Sequence, residues 1–243
     1  MKMILFFDFD GTLRTKEKVE EEVLRKLFLL QEKGYELVLN TGRSKAFYLK
    51  DNADGFPFDG FLFAAEQIIW KGKEIYCRVA SKEEMEQVVS YFDQKGKILV
   101  FEGIHRVRGY SREEYETMKK EGQLSSFIED WVNEVSKFTI IGNDFQEEDA
   151  SHFPTMSFLV CHGNFFHVEI CPDGSNKGKL MRKFLDFLPL EERKTYAFGD
   201  SENDFEMLQE ADVSVCMEHA PEQVKKKADK VYPDILTALN DLF

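Results

Sequence analysis

The amino-acid sequence predicts an α/β chain in which a parallel sheet with intervening helices is interrupted by a separate α+β module. Two observations predict the sheet. Short apolar runs alternate with helix-period segments at the beginning and end of the chain, and polar clusters follow several of those runs. A third observation predicts the interruption: in the middle of the chain the alternation gives way to hairpin-like, locally paired patterns.

Met3–Phe7 is a continuous apolar run stopped by Asp8-Phe9-Asp10-Gly11-Thr12, as expected of a strand buried on both faces. A helix is expected over about Lys16–Lys33, where Val19, Val23 and Leu27 form a stripe and Gly34 suits the stop. Tyr35–Leu39 reads as a second strand ending at Asn40-Thr41-Gly42-Arg43. Another helix and a third strand, Phe61–Ala65, complete the rhythm of right-handed crossovers. Ile68–Tyr76 then reads as a hairpin around Gly72, and Ser81 as the cap of a helix to about Gln94. Ile98–Phe101 and Ile104–Tyr110 read as short strands, Arg112–Glu121 and Ser125–Glu134 as helices. Phe138–Ile141, Ser157–Cys161 and Phe165–Cys171 return to strand. From Asn176 the alternation resumes: helix Lys177–Phe187, strand Tyr196–Phe198, helix Asp204–Ala211, strand Val213–Val215, helix Pro221–Ala228. The expected organisation is a discontinuous core, residues 1–76 and 173–243, with an inserted module at 77–172.

Composition bounds the function. With 243 residues the chain can bury a sizeable core, and 43% hydrophobic with 32% charged residues is the make-up of a soluble globular protein. Thirty-two Lys and Arg against 45 Asp and Glu leave a net charge of −13, which opposes nucleic acid and anionic membranes. A small anionic substrate needs only a local positive site. No apolar run approaches a membrane span or a secretory leader, and Cys77, Cys161, Cys171 and Cys216 have no CxxC spacing. Free thiols in a cytoplasmic protein are the expectation.

Four polar clusters at strand ends or a helix start carry the chemistry: Asp8–Thr12, Thr41-Gly42-Arg43, Ser175-Asn176-Lys177-Gly178, and Gly199–Asp204. In open α/β sheets, sites assemble at the carboxyl ends of strands. Asp8 and Asp10 leave one strand end two residues apart, so one can hold a cation and attack while the other moves protons. Gly11 permits the turn and Thr12 can fix it. A hard cation such as Mg²⁺ takes carboxylate oxygens, and Asp200 is the natural further ligand. A hydroxyl, an accessible amide and a guanidinium at Thr41, Gly42 and Arg43 suit phosphate oxygens. Lys177 can neutralise a carboxylate and a phosphoryl group, Asn203 can hold a phosphoryl oxygen, and Asp204 can orient Lys177 or cation-bound water. Taken singly each cluster reads as a cap, a turn or a surface lysine; together they read as one site.

In this order the clusters resemble the four motifs of the haloacid dehalogenase superfamily of aspartate-nucleophile phosphatases: DFDGT, TGR, the Lys of SNKG, and GDSEND. The insertion between the second and third resembles the C2-type cap of the Cof-like branch. The resemblance implies a Rossmann-like core with an α+β cap. It implies Asp8 as nucleophile, Asp10 as acid and then base, and Mg²⁺ on Asp8, Asp200 and the Asp10 main-chain carbonyl. Thr41 and Lys177 would clamp the phosphoryl group, with Asn203, Asp204 and Thr12 in support. The implied activity is hydrolysis of a small phosphate monoester such as a sugar phosphate, with cap closure excluding water.

Two segments depart from that branch: Ala65-Glu66 stands in place of Asn-Gly, and Glu218-His219-Ala220 in place of Gly-Asn-Ala. Asp10 counts against a carbon–halogen hydrolase, because a departing halide needs no proton. A phosphomutase or a non-catalytic binding module on the same fold are the alternatives. The five histidines show no metal-ligand spacing and are expected in surface or packing roles, and Lys225-Lys226-Lys227 on a solvated helix face. In the module, His105, Arg106, Arg108 and Trp131 are candidates to reach a substrate. The leaving group and the oligomeric state are not encoded in any pattern of the sequence.

Overall fold

The structure is a computed structural model that describes residues 2–51, 56–64, 66–142, 145–161, 167–189 and 192–243. The chain divides into two compact units, Met1–Gly42 with Asp54–Tyr76 and Asn176–Phe243, and Arg43–Ala53 with Cys77–Ser175. The second unit thus runs on to Ser175 and takes in a segment of the first stretch. Among the described residues no helix is long and apolar enough to cross a membrane.

The first stretch contains β1 (Lys2–Phe7), α1 (Glu21–Glu32), β2 (Glu36–Thr41), α2 (Lys45–Asp51), β3 (Gly60–Phe63), β4 (Gln67–Trp70) and β5 (Lys73–Cys77). The inserted stretch contains α3 (Lys82–Gln94), β6 (Ile98–Gly103), β7 (Val107–Gly109), α4 (Arg112–Lys120), α5 (Leu124–Asp130), β8 (Val135–Ile141), α6 (Glu147–Ser151), β9 (Ser157–Cys161) and β10 (His167–Cys171). The last contains α7 (Lys177–Phe187), β11 (Arg193–Gly199), α8 (Phe205–Glu210), β12 (Val213–Met217), α9 (Glu222–Lys225), β13 (Lys230–Tyr232) and α10 (Ile235–Leu242). The expected Lys16–Lys33 helix begins five residues late, at Glu21, with Lys16 paired to Glu20 ahead of it. Elements α6, β13 and α10 are not among those expected from the sequence, the first two being too short to show a period.

The first unit is built on an eight-stranded sheet of order β13-β12-β11-β1-β2-β3-β4-β5. Its strands are parallel from β13 to β3, and β4 returns antiparallel to β3. Lys71 and Gly72 both have positive φ, the two-residue turn that matches strand twist between β4 and β5. One face of the sheet buries Ile4, Phe6, Val38, Leu62 and Ala197 against Leu180, Met181 and Phe184 of α7 and Met207 and Leu208 of α8. Leu5, Phe7, Leu37, Leu39 and Phe198 alternate with these and are equally buried. Val23, Leu27 and Leu30 of α1 and Ile235, Ala238 and Leu239 of α10 are buried too. Each such side chain contributes about 1.5–3 kcal/mol when fully buried.

The second unit has a five-stranded antiparallel sheet of order β7-β6-β8-β10-β9. Leu99, Phe101, Phe138, Ile140, Val168 and Ile170 point to one face and pack with Met85, Val88, Val89 and Phe92 of α3, Ile128 of α5, and Trp131. The helix α2 lies against β6, which explains why Arg43–Ala53 belongs to this unit. Ser81 and Ser111 each close a capping box, with Glu84 and Glu114, at the starts of α3 and α4.

Candidate active site

The strands β12, β11, β1 and β2 are consecutive parallel neighbours, so their carboxyl ends share one edge of the sheet. The chain leaves β1 toward β2 on one side and reaches β11 on the other, which makes this a topological switch point. Asp8 follows β1, Thr41 ends β2, Asp200 follows β11 and His219 lies just past β12.

Asp8 is buried, its N–H donating to the Phe198 carbonyl at 2.9 Å. The next residues turn sharply. Gly11 has φ +95°, and a Cβ there would lie 2.2 Å from Asp200 Oδ2, so only glycine fits. Thr12 is buried and its hydroxyl donates to Asp200 Oδ1 at 2.8 Å, tying the β1 loop to the β11 loop. Asp10 is 44% exposed and accepts from Arg14 at 2.5 Å, with the guanidinium also over the Phe9 ring.

Lys177 is the first residue of α7, capped by Asn176, whose Oδ1 accepts from the Lys179 N–H at 2.9 Å. Gly178 lets α7 approach α8 closely, since a Cβ there would meet the Glu206 Cβ at 2.4 Å. Asn40 Nδ2 holds the Lys177 carbonyl at 3.1 Å. The ammonium is 3% exposed and donates to Asp8 Oδ1 at 2.5 Å, Asp204 Oδ1 at 2.6 Å and Asn203 Oδ1 at 3.1 Å. Asp204 Oδ2 accepts the N–H groups of Asp200 and Ser201, both at 3.0 Å, and so fixes the loop that carries Asp200.

Charge in this cluster does not balance. Burial raises Asp8 well above the usual carboxylate range; Lys177 pulls it down, and Asp204 and Asp200 push it up again. Burial and Asp204 likewise raise Asp200. Burial works against the Lys177 charge, but Asp204 and Asp8 overcome it and hold the lysine above its ordinary value. Asp8, Asp200 and Asp204 each offer a carboxylate oxygen, all within 4.8 Å of one another. The buried Asp8 Oδ2 has no hydrogen-bond partner among the described residues. Three carboxylates only partly neutralised by one ammonium, one of them with an unpartnered oxygen, fit a hard divalent cation. The Asp10 carboxylate is not in this group.

Thr41 is buried at the end of β2 and Gly42 closes the first unit's segment. Arg43 opens the second unit, its guanidinium 4.9 Å from the centre of the Phe47 ring.

A family model of haloacid dehalogenase-like hydrolases matches residues 5–235. The chain belongs to this family. YkrA of Bacillus subtilis is 24% identical over 236 residues, covering 94% of this chain and 91% of that protein. The 5-amino-6-(5-phospho-D-ribitylamino)uracil phosphatase YcsE of the same organism is 23% identical over 230 residues, covering 94% and 88%. The solved structure of the haloacid dehalogenase subclass IIB sugar phosphatase BT4131 superposes with a TM-score of 0.75 at 23% identity, covering 99% of this chain and 98% of that one. These likenesses agree with the α/β core and inserted α+β module read from the sequence.

Sequence reasoning overlooked several hydrolase residues around this edge. Arg14 belongs to none of the motifs read from the sequence, yet it holds Asp10. Asn40 bonds the Lys177 carbonyl, and the Ser201 hydroxyl bonds Asn203 Oδ1 at 2.7 Å and Asp204 Oδ2 at 3.2 Å, contacts that no spacing announces. His219 is half exposed, as a surface histidine is, and its Nε2 stands 3.4 Å from Asp200 Oδ2. His167 joins Cys161 and Glu169 in a second donor group, though Glu169 already accepts from Lys137 at 2.6 Å. In the second unit Arg106 lies over Trp131 and bonds Asp130, Trp131 is core, and Arg108 lies over Phe127, both arginines about half exposed. His105 Nδ1 is 3.0 Å from Glu134. Glu66 is fully buried, while Ala65 and His162 lie outside the described residues.

Proposed function

We propose that this chain is a phosphatase that hydrolyses a small phosphate monoester through a phosphorylated Asp8. The reading rests on one observation above all: a buried aspartate held on one oxygen by Lys177, with its other oxygen unpartnered beside Asp200. A carboxylate desolvated in this way and aimed by an ammonium is an activated nucleophile. Relatives such as YcsE carry phosphatase names, which supports the same class.

A carboxylate oxygen of Asp8 attacks phosphorus, the bond from phosphorus to the ester oxygen breaks, and the leaving alkoxide takes a proton from Asp10. Water then attacks the phosphoryl group and gives a proton back to Asp10. The bond from Asp8 to phosphorus breaks and inorganic phosphate departs. Arg14 holds Asp10 Oδ1 in this structure, so proton transfer at that oxygen follows release of the ion pair. Lys177 and Thr41 hold phosphoryl oxygens, with the Gly42 amide and Arg43 available to the same group, and Asn203 and Asp204 keep Lys177 aimed. Mg²⁺ on Asp8, Asp200 and the Asp10 carbonyl would supply positive charge where the phosphoryl group develops negative charge. The second unit is the cap that selects the leaving group. A cytoplasmic location goes with four cysteines that lack CxxC spacing.

The test is phosphate release from a generic aryl phosphate and a panel of metabolite monoesters, with Mg²⁺ or EDTA, for wild type and Asp8→Asn. Mg²⁺-dependent release that disappears in the variant is the expected result. A wild type inactive on the whole panel would instead favour the binding-module reading.

A further inference from the structure

The loop after β12 departs from the resemblance that accounts for the rest of the site, and its geometry gives it a place there. Because β12 lies beside β11 in the parallel sheet, this loop emerges next to the one that carries Asp200. Two main-chain bonds fix it. The Glu218 N–H donates to the Tyr232 carbonyl at 2.8 Å, and the Ala220 N–H to the Met217 carbonyl at 3.1 Å, which puts His219 at the tip of a closed turn. Gln223 Nε2 donates to Glu202 Oε1 at 2.8 Å and links the start of α9 to the Asp200 loop. The His219 ring is half exposed, with Nε2 3.4 Å from Asp200 Oδ2, while Thr12 occupies the other oxygen of Asp200.

Two donors on adjacent corners of an octahedron with bonds of about 2.1 Å lie about 3 Å apart. A shift of a few tenths of an ångström in a half-exposed ring brings Nε2 and Oδ2 to that separation. Resting on the reading of Asp8 and Asp200 as cation ligands, we propose that His219 adds a nitrogen donor to that site. The consequence is selectivity. Carboxylate and carbonyl oxygens alone suit Mg²⁺ and Mn²⁺, whereas imidazole favours Fe²⁺, Ni²⁺ and Zn²⁺, so His219 shifts the site toward the latter ions. The asparagine it replaces in the resembling branch has no such nitrogen.

The experiment uses the full chain loaded with Mn²⁺ and read by pulsed electron paramagnetic resonance. Wild type is expected to show imidazole ¹⁴N coupling that His219→Asn removes while one Mn²⁺ remains bound. In calorimetric titrations the affinity for Ni²⁺ relative to Mg²⁺ is expected to fall at least tenfold in His219→Asn, with Mg²⁺ affinity itself changed less than threefold. Asp200→Asn should abolish both signals. Mn²⁺ bound without nitrogen coupling overturns the proposal alone. So does coupling that survives His219→Asn, as it would if the Cys161, His167 and Glu169 group were the site. If the wild type binds no Mn²⁺ at all, the cation site of the proposed function falls with it.

Discussion

Among the described residues two lysine ammonium groups are buried among carboxylates, one in each unit. Lys177 sits between Asp8 and Asp204 at 2.5 and 2.6 Å, and Lys137 between Glu169 and Glu102 at 2.6 and 3.3 Å. Each cluster has a threonine donating to one of its carboxylates, Thr12 to Asp200 at 2.8 Å and Thr139 to Glu102 at 2.5 Å. Each also leaves one carboxylate oxygen without a partner among the described residues, Asp8 Oδ2 and Glu102 Oε2. Their settings differ. Lys137 faces Glu102 directly across β8 and β6, and Glu169 lies diagonally on β10, so the paired backbone fixes all three. Burial alone would raise Glu169, yet Lys137 holds it down at about 2. Around Lys177 the groups come from loops at strand ends, a third carboxylate joins them, and Asp8 and Asp200 are raised instead. One ammonium between two carboxylates leaves a single negative charge in the sheet, against two left over around Lys177; the larger excess, carried on strand-end loops, is set up to receive a cation and an electrophile.

The largest expected effect separates the two at Asp8. Asp8→Asn should reduce phosphate release by roughly a thousandfold or more, as removal of a covalent nucleophile does. The same change should leave the cation-free protein at least as stable as wild type, because it deletes one of three crowded carboxylates. Phosphate assay and thermal melting on the same preparation check both halves, and a large drop in melting temperature would make Asp8 a structural residue.

Lys137→Met should act in the opposite sense. It strands Glu102 and Glu169 in a buried sheet, a loss of about 3–5 kcal/mol by urea denaturation. Added Mg²⁺ should not restore it, whereas it should restore much of what Lys177→Met loses, since a cation can stand in for one charge and not the other. A loss below about 1 kcal/mol would show that the second cluster is not holding the sheet together.

The two clusters were not equally legible in the sequence. Asp8, Asp10, Thr41, Asp200 and Asp204 stood out because each follows an apolar run that must be a strand, and a parallel sheet brings such ends to one edge. The span of helix α7, Lys177–Phe187, was readable to the residue, while the choice of Asn176 over Ser175 as its cap was not. Lys137, Glu102 and Glu169 were invisible as a group because their meeting depends on the order β6-β8-β10, which local pattern does not encode. Contacts made by one side chain across loops, such as Arg14 on Asp10 and His219 on Asp200, left no period or spacing either. The assignment of Arg43–Ala53 to the second unit depends on α2 lying against β6, again a tertiary fact.

Acid should pull the clusters apart. Glu169 is lowered in the native state, so it adds stability above its ordinary value of 4.5 that is lost as pH falls toward about 2. At about 1.4 kcal/mol per unit, the full loss is at most about 3 kcal/mol. Asp8 and Asp200 are raised, so the native state binds their protons more tightly and cation-free stability falls as pH climbs through their native values. Melting temperature against pH, with and without Mg²⁺, should show a low-pH slope that Glu169→Gln removes. It should also show a slope at higher pH that Mg²⁺ flattens and Asp8→Asn reduces.

The threonines give the smallest and most discriminating contrast. Thr12→Val keeps the shape and removes the donor to Asp200 Oδ1, while Thr139→Val does the same to Glu102 Oε1. Both should cost about 1–2 kcal/mol of stability, because each leaves a buried carboxylate oxygen short of a bond to a charged group. Only Thr12→Val should also weaken Mg²⁺ binding, by about 10–100-fold, since it loosens the orientation of a cation ligand. Calorimetric titration of the two variants against wild type decides it. Equal Mg²⁺ affinity in both would mean that Asp200 is oriented by its loop alone, through Asp204 and the Asp200 N–H, and that the Thr12 hydroxyl serves the fold as Thr139 does.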